Sequence, residues 1–300
     1  MLPKVTIGVC VRNGAKTISE TIRSIIAQDY PHELMEVIFV DDGSEDETLT
    51  IIEKYASKMN MKVKIFHHNW KGLGFSRNIV VKNASGKYII WVDCDMLLPK
   101  DHVRKQVDFM EKNPKVSIGK ARYGFVDENS LVAFLENMPF MVRDAKDFPL
   151  KLPGTGGAIF RVQAIREVGG FDESLDGVGE DQDIAYRIKA DGWQIKRTNA
   201  YFYERRVKSW RDLWRKYLWY GYGNYYLYRK NRRIFSLARM NPVAGFLAGC
   251  LYAAESYRLT HKKAVFLLPF HFAFKMFAWL LGFSKGYIDS NNSNKPRSPS

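Results

Sequence analysis

The chain reads as an α/β domain with a mostly parallel central sheet flanked by helices, extended at its C-terminal end by aromatic, basic and apolar helices. Three observations predict this. Short apolar runs alternate with helical patterns through the first hundred residues, as βα units require. Two acidic clusters each follow an apolar run, at the strand ends where open α/β sheets hold ligands. The charge is also unevenly divided: residues 1–200 hold 28 Lys and Arg against 28 Asp and Glu, whereas residues 201–300 hold 18 against only Glu204, Asp212, Glu255 and Asp289.

Residues 5–11 form the first expected strand, and 17–28 a helix with Ile18, Ile22, Ile25 and Ile26 on one face. A second strand, 37–40, ends at Asp41-Asp42-Gly43-Ser44, followed by a helix over 47–59. The third strand is 63–67. The loop Asn69-Trp-Lys-Gly-Leu-Gly-Phe-Ser-Arg-Asn78 then carries glycines into a helix over 75–83. A strongly apolar fourth strand, 87–92, ends at Asp93-Cys94-Asp95. Beyond residue 100 the alternation weakens. Gly154-Thr-Gly-Gly157 precedes a strand at 158–161 and a helix at 162–168, and Gly169-Gly170-Phe171-Asp172-Glu173 leads on to Gly179-Glu180-Asp181-Gln182-Asp183, which opens a helix reaching about Ala190. Residues 209–228 are helical, with Trp210, Leu213, Trp214, Tyr217 and Leu218 on one face. Segments 243–257 and 264–283 are the most apolar, and 289–300 is a polar tail expected to be disordered.

With 300 residues, 46% of them apolar, the chain can bury a sizeable core, which excludes general disorder. Cys10, Cys94 and Cys250 form no C-x-x-C pair, so neither a disulfide framework nor a zinc site is indicated, and a reducing compartment is expected. The N-terminus runs straight into a strand without a signal-like segment, so the first domain is expected in the cytosol. The formal charge of +14 invites a nucleic-acid reading, but the basic third also holds 24 of the 42 aromatic residues and includes runs too apolar for water. That composition points to an anionic membrane surface and away from nucleic acid. His271 and Lys275 at i, i+4 and a bend at Pro269 argue against a clean span over 264–283. An in-plane helix with Lys275 reaching the headgroups is expected instead.

Four clusters carry chemistry. Asp93 and Asp95, read as extended, point to one side and suit a hard divalent ion, Mg²⁺ or Mn²⁺, that bridges phosphates; turn-forming aspartates are the plainer alternative. Asp41 and Asp42 offer acceptors for ribose hydroxyls or a base N–H, against a simple Asp-Gly turn. The 69–78 loop, with backbone N–H groups and Arg77, suits a diphosphate, against a solvated loop. Glu180 and Asp181 crowd a helix start where one acid suffices for capping, so one is available as a general base. His67 and His68 are read as structural or solvated, with no catalytic role.

In this order and spacing, Val11-Arg12-Asn13, Asp41 to Ser44, Gly72 to Asn78, Asp93-Cys94-Asp95, Gly154 to Phe171 and Gly179-Glu180-Asp181 make residues 4–225 resemble the inverting family 2 glycosyltransferases, which have the GT-A fold. The resemblance implies a donor site holding Val11, Asn13, Asp41, Asp42, Gly74, Arg77, Asn78 and Asp93. It implies Mn²⁺ or Mg²⁺ flanked by Asp93 and Asp95, Asp181 as catalytic base, and Glu180 orienting the acceptor or supporting the base. Gly156, Gly157, Trp210 and Trp214 would face the sugar and acceptor. Where relatives carry a histidine before the aromatic helix as a further metal or phosphate contact, this chain has Tyr203-Glu204-Arg205-Arg206, which leaves the third protein ligand open and offers Glu204 as a candidate substitute. The Gln-x-x-Arg-Trp of processive relatives is replaced by Arg215-Lys-Tyr-Leu-Trp219, favouring single-sugar transfer.

The implied organisation is a catalytic domain over 1–205, with a nucleotide-sugar half at about 1–100 and an acceptor half at about 101–205. Aromatic, basic and apolar helices over 206–288 follow. The implied activity moves one sugar from a nucleotide diphosphate sugar, a UDP-sugar by default, to a hydroxyl acceptor. That acceptor would be a lipid-linked saccharide or a polyprenyl or dolichyl phosphate carrier at the cytoplasmic face of the cell membrane, with peripheral or monotopic attachment. A nucleotide-sugar-binding protein without catalysis and a nucleotidyltransferase are the alternatives.

Overall fold

The β-branched-rich run Val-Thr-Ile-Gly-Val-Cys-Val forms an interior strand because its side chains pack well on both faces of a pleated surface. The computed structural model describes residues 1–125, 129–175 and 178–291. In chain order the elements are β1 (Val5–Val11), α1 (Ile18–Ile26), β2 (Met35–Asp42), α2 (Thr48–Ala56), β3 (Lys62–His68), α3 (Leu73–Asn83), β4 (Tyr88–Trp91), β5 (Met96–Leu97), α4 (His102–Lys112) and β6 (Val116–Gly124). They continue with α5 (Leu131–Ala145), β7 (Ala158–Arg161), α6 (Val162–Glu167), α7 (Glu180–Ala190), β8 (Gln194–Glu204), α8 (Trp210–Lys230), α9 (Pro242–Thr260) and α10 (Leu268–Asn291).

One compact unit comprises Met1–Gly124, Leu150–Ser174 and Glu180–Glu204. Its sheet has the order β3-β2-β1-β4-β7-β6-β8-β5. The β1, β2, β3 and β4 strands are mutually parallel, β7 is antiparallel to β4 and β6, β6 runs parallel to β8, and β5 closes the edge antiparallel to β8. This is the mixed, mostly parallel α/β sheet that the sequence predicts. Chain order reverses between β1 and β4, so the carboxyl ends of β1, β2 and β4 converge at a switch point. One apolar cluster covers one face with Ile18, Ile22 and Ile25 of α1 and Val103, Val107 and Met110 of α4. A second covers the other with Val80 of α3, Ile165 of α6 and Ile184 and Ile188 of α7. Each such side chain contributes about 1.5–3 kcal/mol by leaving water.

Five elements escape the periodicity reading: β5, α4, β6, α5 and β8. In β8 Gln194, Lys196, Asn199 and Tyr201 face solvent, and α4 buries His102 and Gln106, so neither shows a clean apolar signature. The helix α3 starts at Leu73, two residues before the expected 75, because Gly72 at φ 93° breaks the preceding chain direction.

The second unit comprises Phe125–Pro149, Leu175–Gly179 and the chain from Arg205 onward. Here α5 packs with α9, and α8 with α10. Gly221 of α8 lies against the backbone of Trp279, and Gly282 of α10 against the backbone of Leu218; a Cβ at either would collide with a carbonyl oxygen. Two expectations are corrected in this unit. Lys275 does not reach outward: it is buried, and Glu136 Oε1 accepts from Lys275 Nζ (2.6 Å) and pairs with His271 Nε2 (2.9 Å). A buried cation needs a partner, and α5 supplies it. Pro269 is the second residue of α10, directly after a 3-10 turn over Lys263–Leu267, so it lies where the α-helix begins and not in its interior. Because α10 continues through Asn291, the first three residues of the expected disordered tail are helical, and 292–300 lie outside the described residues.

Candidate functional site

Parallel register pairs Val11 with Asp41 and Asp41 with His67, and one step on it pairs Asp42 with His68. Alternation then sends Asp41 and His67 to one face of the sheet and Asp42 and His68 to the other. Asp41 is fully buried and accepts from the Ser44 backbone N–H (3.2 Å), from Ser44 Oγ and from His67 Nδ1 (2.7 Å). Asn13, in left-handed backbone at φ 53°, accepts from Glu45 N–H (2.9 Å) through Oδ1 and donates its own N–H to Ser44 Oγ (2.9 Å). The sequence thus places Val11, Asn13 and Asp41 at one crevice, and the structure adds Ser44 and His67.

Asp42 works differently. Its carboxylate accepts from the backbone N–H groups of Lys71 (2.7 Å) and Gly72 (3.0 Å), with His68 Nδ1 3.4 Å away. Burial raises its pKa against the pull of these groups. Two of the loop N–H groups that sequence reasoning offered to a diphosphate are therefore taken up by Asp42. Farther along, Gly74 lies so close to Asp172 that a Cβ would come 2.7 Å from its carbonyl oxygen. The Asn78 amide donates to Phe171 O (2.9 Å) and Glu173 Oε1 (2.8 Å) and accepts from Phe171 N–H (2.8 Å). Both residues, expected at the donor, brace the 171–173 segment.

The carboxylates gather beyond β4. Residues 93–95 are a turn, with Met96 N–H donating to Asp93 O (3.1 Å), so strand alternation is not what sets Asp95 relative to Asp93. Asp93 is partly exposed, yet its pKa is raised, first by burial and then by Glu204 and Asp181, while Arg77 and Lys120 lower it. Glu204, last residue of β8, pairs with Met96 of β5, which is how a residue far along the chain reaches Asp93. Gly156 is packed so tightly that a Cβ would lie 2.6 Å from Asp93 Oδ2. Gly157, at φ 65°, packs on Phe202.

Arg77 is buried, and its Nη1 donates to Glu180 Oε1. Burial opposes its charge, but Glu180, Asp93 and Asp181 outweigh burial and raise its pKa. It stacks between Trp91 (5.9 Å) and Phe171 (5.6 Å). The residue expected to face base or diphosphate is thus placed as counter-ion to the carboxylate group. Glu180 is pushed up to about 7 by burial, against Arg77 and with Asp181 adding to the rise. Asp181, in the first turn of α7, is partly exposed; Oδ1 accepts from Gln182 N–H (2.7 Å), and Oδ2 lies 3.0 Å from where a Cβ at Gly154 would stand. Glycine at 154 leaves that oxygen uncovered.

Sequence reasoning missed Lys120. It is buried, donates through Nζ to Gly154 O (3.2 Å) and Gly156 O, and lies over Phe202 (4.9 Å). Its signal was a lone cation in the apolar run Val-Ser-Ile-Gly-Lys-Ala. In the second unit, Trp210 meets His271 (5.5 Å) and Phe274 (5.3 Å), and Trp214 meets Phe274 (5.2 Å) and Phe277 (5.9 Å). Both expected sugar-facing tryptophans pack on α10.

The donor set bears on a metal. Among the described residues no three His, Cys, Asp or Glu form a ready-made cage. Asp93, Glu204 and Asp181 nevertheless accumulate negative charge that raises the Asp93 pKa, and all their donors are hard oxygens. Such a set fits a Mg²⁺- or Mn²⁺-type ion that takes the rest of its shell from phosphate oxygens and water.

The family model for glycosyl transferase family 2 matches residues 6–169, and that for glycosyl transferase family group 2 matches 88–285. The poly(ribitol-phosphate) beta-N-acetylglucosaminyltransferase TarS of Staphylococcus aureus is 36% identical over 110 residues, which cover 37% of this chain and 19% of TarS. The match therefore spans about a fifth of that relative. Among solved structures, the mannosyltransferase PcManGT from Pyrobaculum calidifontis in complex with GDP-Man and Mn²⁺ aligns with a TM-score of 0.71 at 19% identity, over 96% of this chain and 88% of the other. Residues 1–349 of S. aureus TarS in complex with UDP-GlcNAc align with a TM-score of 0.54 at 20% identity, over 98% and 93%. At such identities the likeness is one of fold, the GT-A type.

Proposed function

This chain belongs to glycosyl transferase family 2, and from that premise we propose that it moves a single sugar from a nucleotide diphosphate sugar to a hydroxyl acceptor with inversion at the anomeric carbon. The observation that carries the reading is the meeting of Asp93, Glu180 and Asp181 around Arg77, with Glu204 beside Asp93. Asp181 is the base: its uncovered Oδ2 takes the proton of the attacking hydroxyl, while Gln182 N–H holds Oδ1. Glu180, tied to Arg77, supports that base and keeps the cation beside it. Asp93 and Asp95, with Glu204, would hold Mn²⁺ or Mg²⁺, which when bound supplies neutralisation of the departing diphosphate. Val11, Asn13, Asp41 and Asp42 frame the nucleoside end, the last two through the loops they pin. Gly156 and Gly157 are assigned to the sugar and acceptor side.

UDP-sugars are the default donor, and the solved neighbours are complexes of UDP-GlcNAc and of GDP-Man with Mn²⁺. The test is release of nucleoside diphosphate from a panel of UDP- and GDP-sugars with Mn²⁺, with and without a detergent-solubilised lipid acceptor. One donor should turn over, and faster with the lipid. Tight donor binding without turnover on any acceptor would favour a binding protein, and pyrophosphate release a nucleotidyltransferase.

The acceptor is read as lipid-linked, and the chain as attached in peripheral or monotopic fashion to the cytoplasmic face of the cell membrane. On α9, Val243 (70% exposed), Leu247 (61%) and Leu251 (74%) recur every fourth residue and make one apolar stripe. Phe266 and Phe270 add to the exposed apolar surface. The exposed Lys262 and Lys263, with Arg229 in the last turn of α8 and Arg232 and Arg233 beyond it, supply charge for anionic headgroups. Among the described residues one helix, Lys263–Asn291, is long and apolar enough to cross a membrane. The Lys275–Glu136 pair keeps its cation out of lipid in either position. The full chain should float with anionic liposomes and be partly released by salt, whereas a chain ending near residue 239 should not float. Indifference of the full chain to liposomes would reject the attachment.

A further inference from the structure

We propose that His67 reads the nucleobase, its Nε2 accepting the ring N–H of a uracil or guanine. The inference rests on the nucleotide-sugar reading above and adds the residue that selects the base.

Asp41 itself is closed to a base. Its side chain has no exposed surface, and Ser44 and His67 already donate to its oxygens. A base N–H has no path to it. The exposed group next to it is the imidazole it holds, 48% exposed at the carboxyl end of β3.

That contact also sets the chemistry of the ring. An ionised carboxylate only accepts, so the 2.7 Å contact to Asp41 Oδ2 requires the hydrogen on His67 Nδ1. In the neutral imidazole the other nitrogen is then a bare acceptor. Among the described residues Nε2 of His67 has no partner. The neighbouring His68 shows the opposite arrangement: its side chain is 13% exposed, and its Nε2 is engaged with Ser76 Oγ at 3.3 Å. Adjacent histidines are thus divided by the strand's alternation into one held inside and one offered at the crevice.

A fixed acceptor discriminates among bases. Uracil carries N3–H and guanine N1–H on the Watson–Crick edge, and both donate to it. Cytosine N3 and adenine N1 present lone pairs, which oppose the lone pair of Nε2. A site built around one hydrogen-bonding atom rejects the partner that leaves it unpaired.

The experiment titrates the full chain, in Mn²⁺, with UDP, GDP, CDP, ADP and inorganic pyrophosphate. Wild type should bind UDP or GDP at least about tenfold tighter than CDP and ADP, the worth of one well-placed hydrogen bond. The decisive variant is His67→Asn, whose shorter amide keeps a donor for Asp41 but places no acceptor at the Nε2 position. The gap should shrink to about twofold or less, with pyrophosphate affinity unchanged. His67→Ala should behave alike, and His67→Gln, whose amide oxygen reaches the Nε2 position, should restore part of the gap. The proposal is overturned if the gap persists in both Asn and Ala variants, or if all ligands including pyrophosphate weaken equally, which is the mark of a structural role. Equal wild-type affinity for the four nucleotides would overturn it while leaving the nucleotide-sugar reading intact. Failure of wild type to bind any of the five removes that reading, and the proposal with it.

Discussion

Asp93→Ala is expected to lower transfer by about 10³-fold or more, because loss of cation-mediated charge stabilisation costs several kcal/mol at the transition state. Asp93 shares its environment with Glu204 and Asp181, whose charges raise its pKa, so the three carboxylates concentrate negative charge beyond β4. Removing one leaves two like charges with less reason to hold a cation, and metal-dependent nucleotide binding should weaken in step. Asp95→Ala should act in the same direction. Folding should be unaffected or slightly favoured, since the substitution relieves a carboxylate whose ionisation burial already opposes. Nucleoside diphosphate release, metal-dependent UDP binding and thermal melting measure the three parts. Full turnover in both variants, with chelator harmless, would end the metal-assisted scheme.

Asp181→Asn should retain donor binding and lose about 10²–10⁴-fold in turnover, the usual contribution of a general base. Glu180→Gln separates the neighbouring acid by its pH behaviour. The Glu180 pKa is raised from 4.5 to about 7 in the folded protein. A raised carboxyl pKa means that the folded state holds the proton more tightly than the unfolded chain does. Its stabilising contribution is therefore complete below about pH 4.5 and is lost as pH rises through about 7. Wild type should lose stability between pH 5 and 8 more steeply than Glu180→Gln in denaturant titrations. Parallel curves would show that Glu180 is ionised throughout by Arg77. Normal turnover in Asp181→Asn with a dead Glu180→Gln would reverse the two roles.

The βα alternation was legible because apolar periodicity is local: β1 to β4 and their helices each announce themselves within a dozen residues. The acidic motifs were legible for the same reason, as Asp41-Asp42 and Asp93-Cys94-Asp95 each end a strand and Glu180-Asp181 open a helix. What each acid touches was not. Asp42 accepts from N–H groups about thirty residues away, and Arg77 pairs with Glu180 across 103 positions. Lys120 was overlooked because a cation inside an apolar strand looks like an error until two glycine carbonyls close on it.

Residue types and their spacing alone determined the α/β class and the carboxylates at the strand ends. Both follow from side-chain periodicity and the chain's twist, which act over a few residues. Only the tertiary structure decided which of two histidines is offered to solvent, that Arg77 turns inward to the carboxylates, and that Lys275 is buried on Glu136, 139 positions away. These choices were closed to the sequence because a buried charge takes whichever partner folding brings within about 3 Å, and sequence distance does not constrain that meeting.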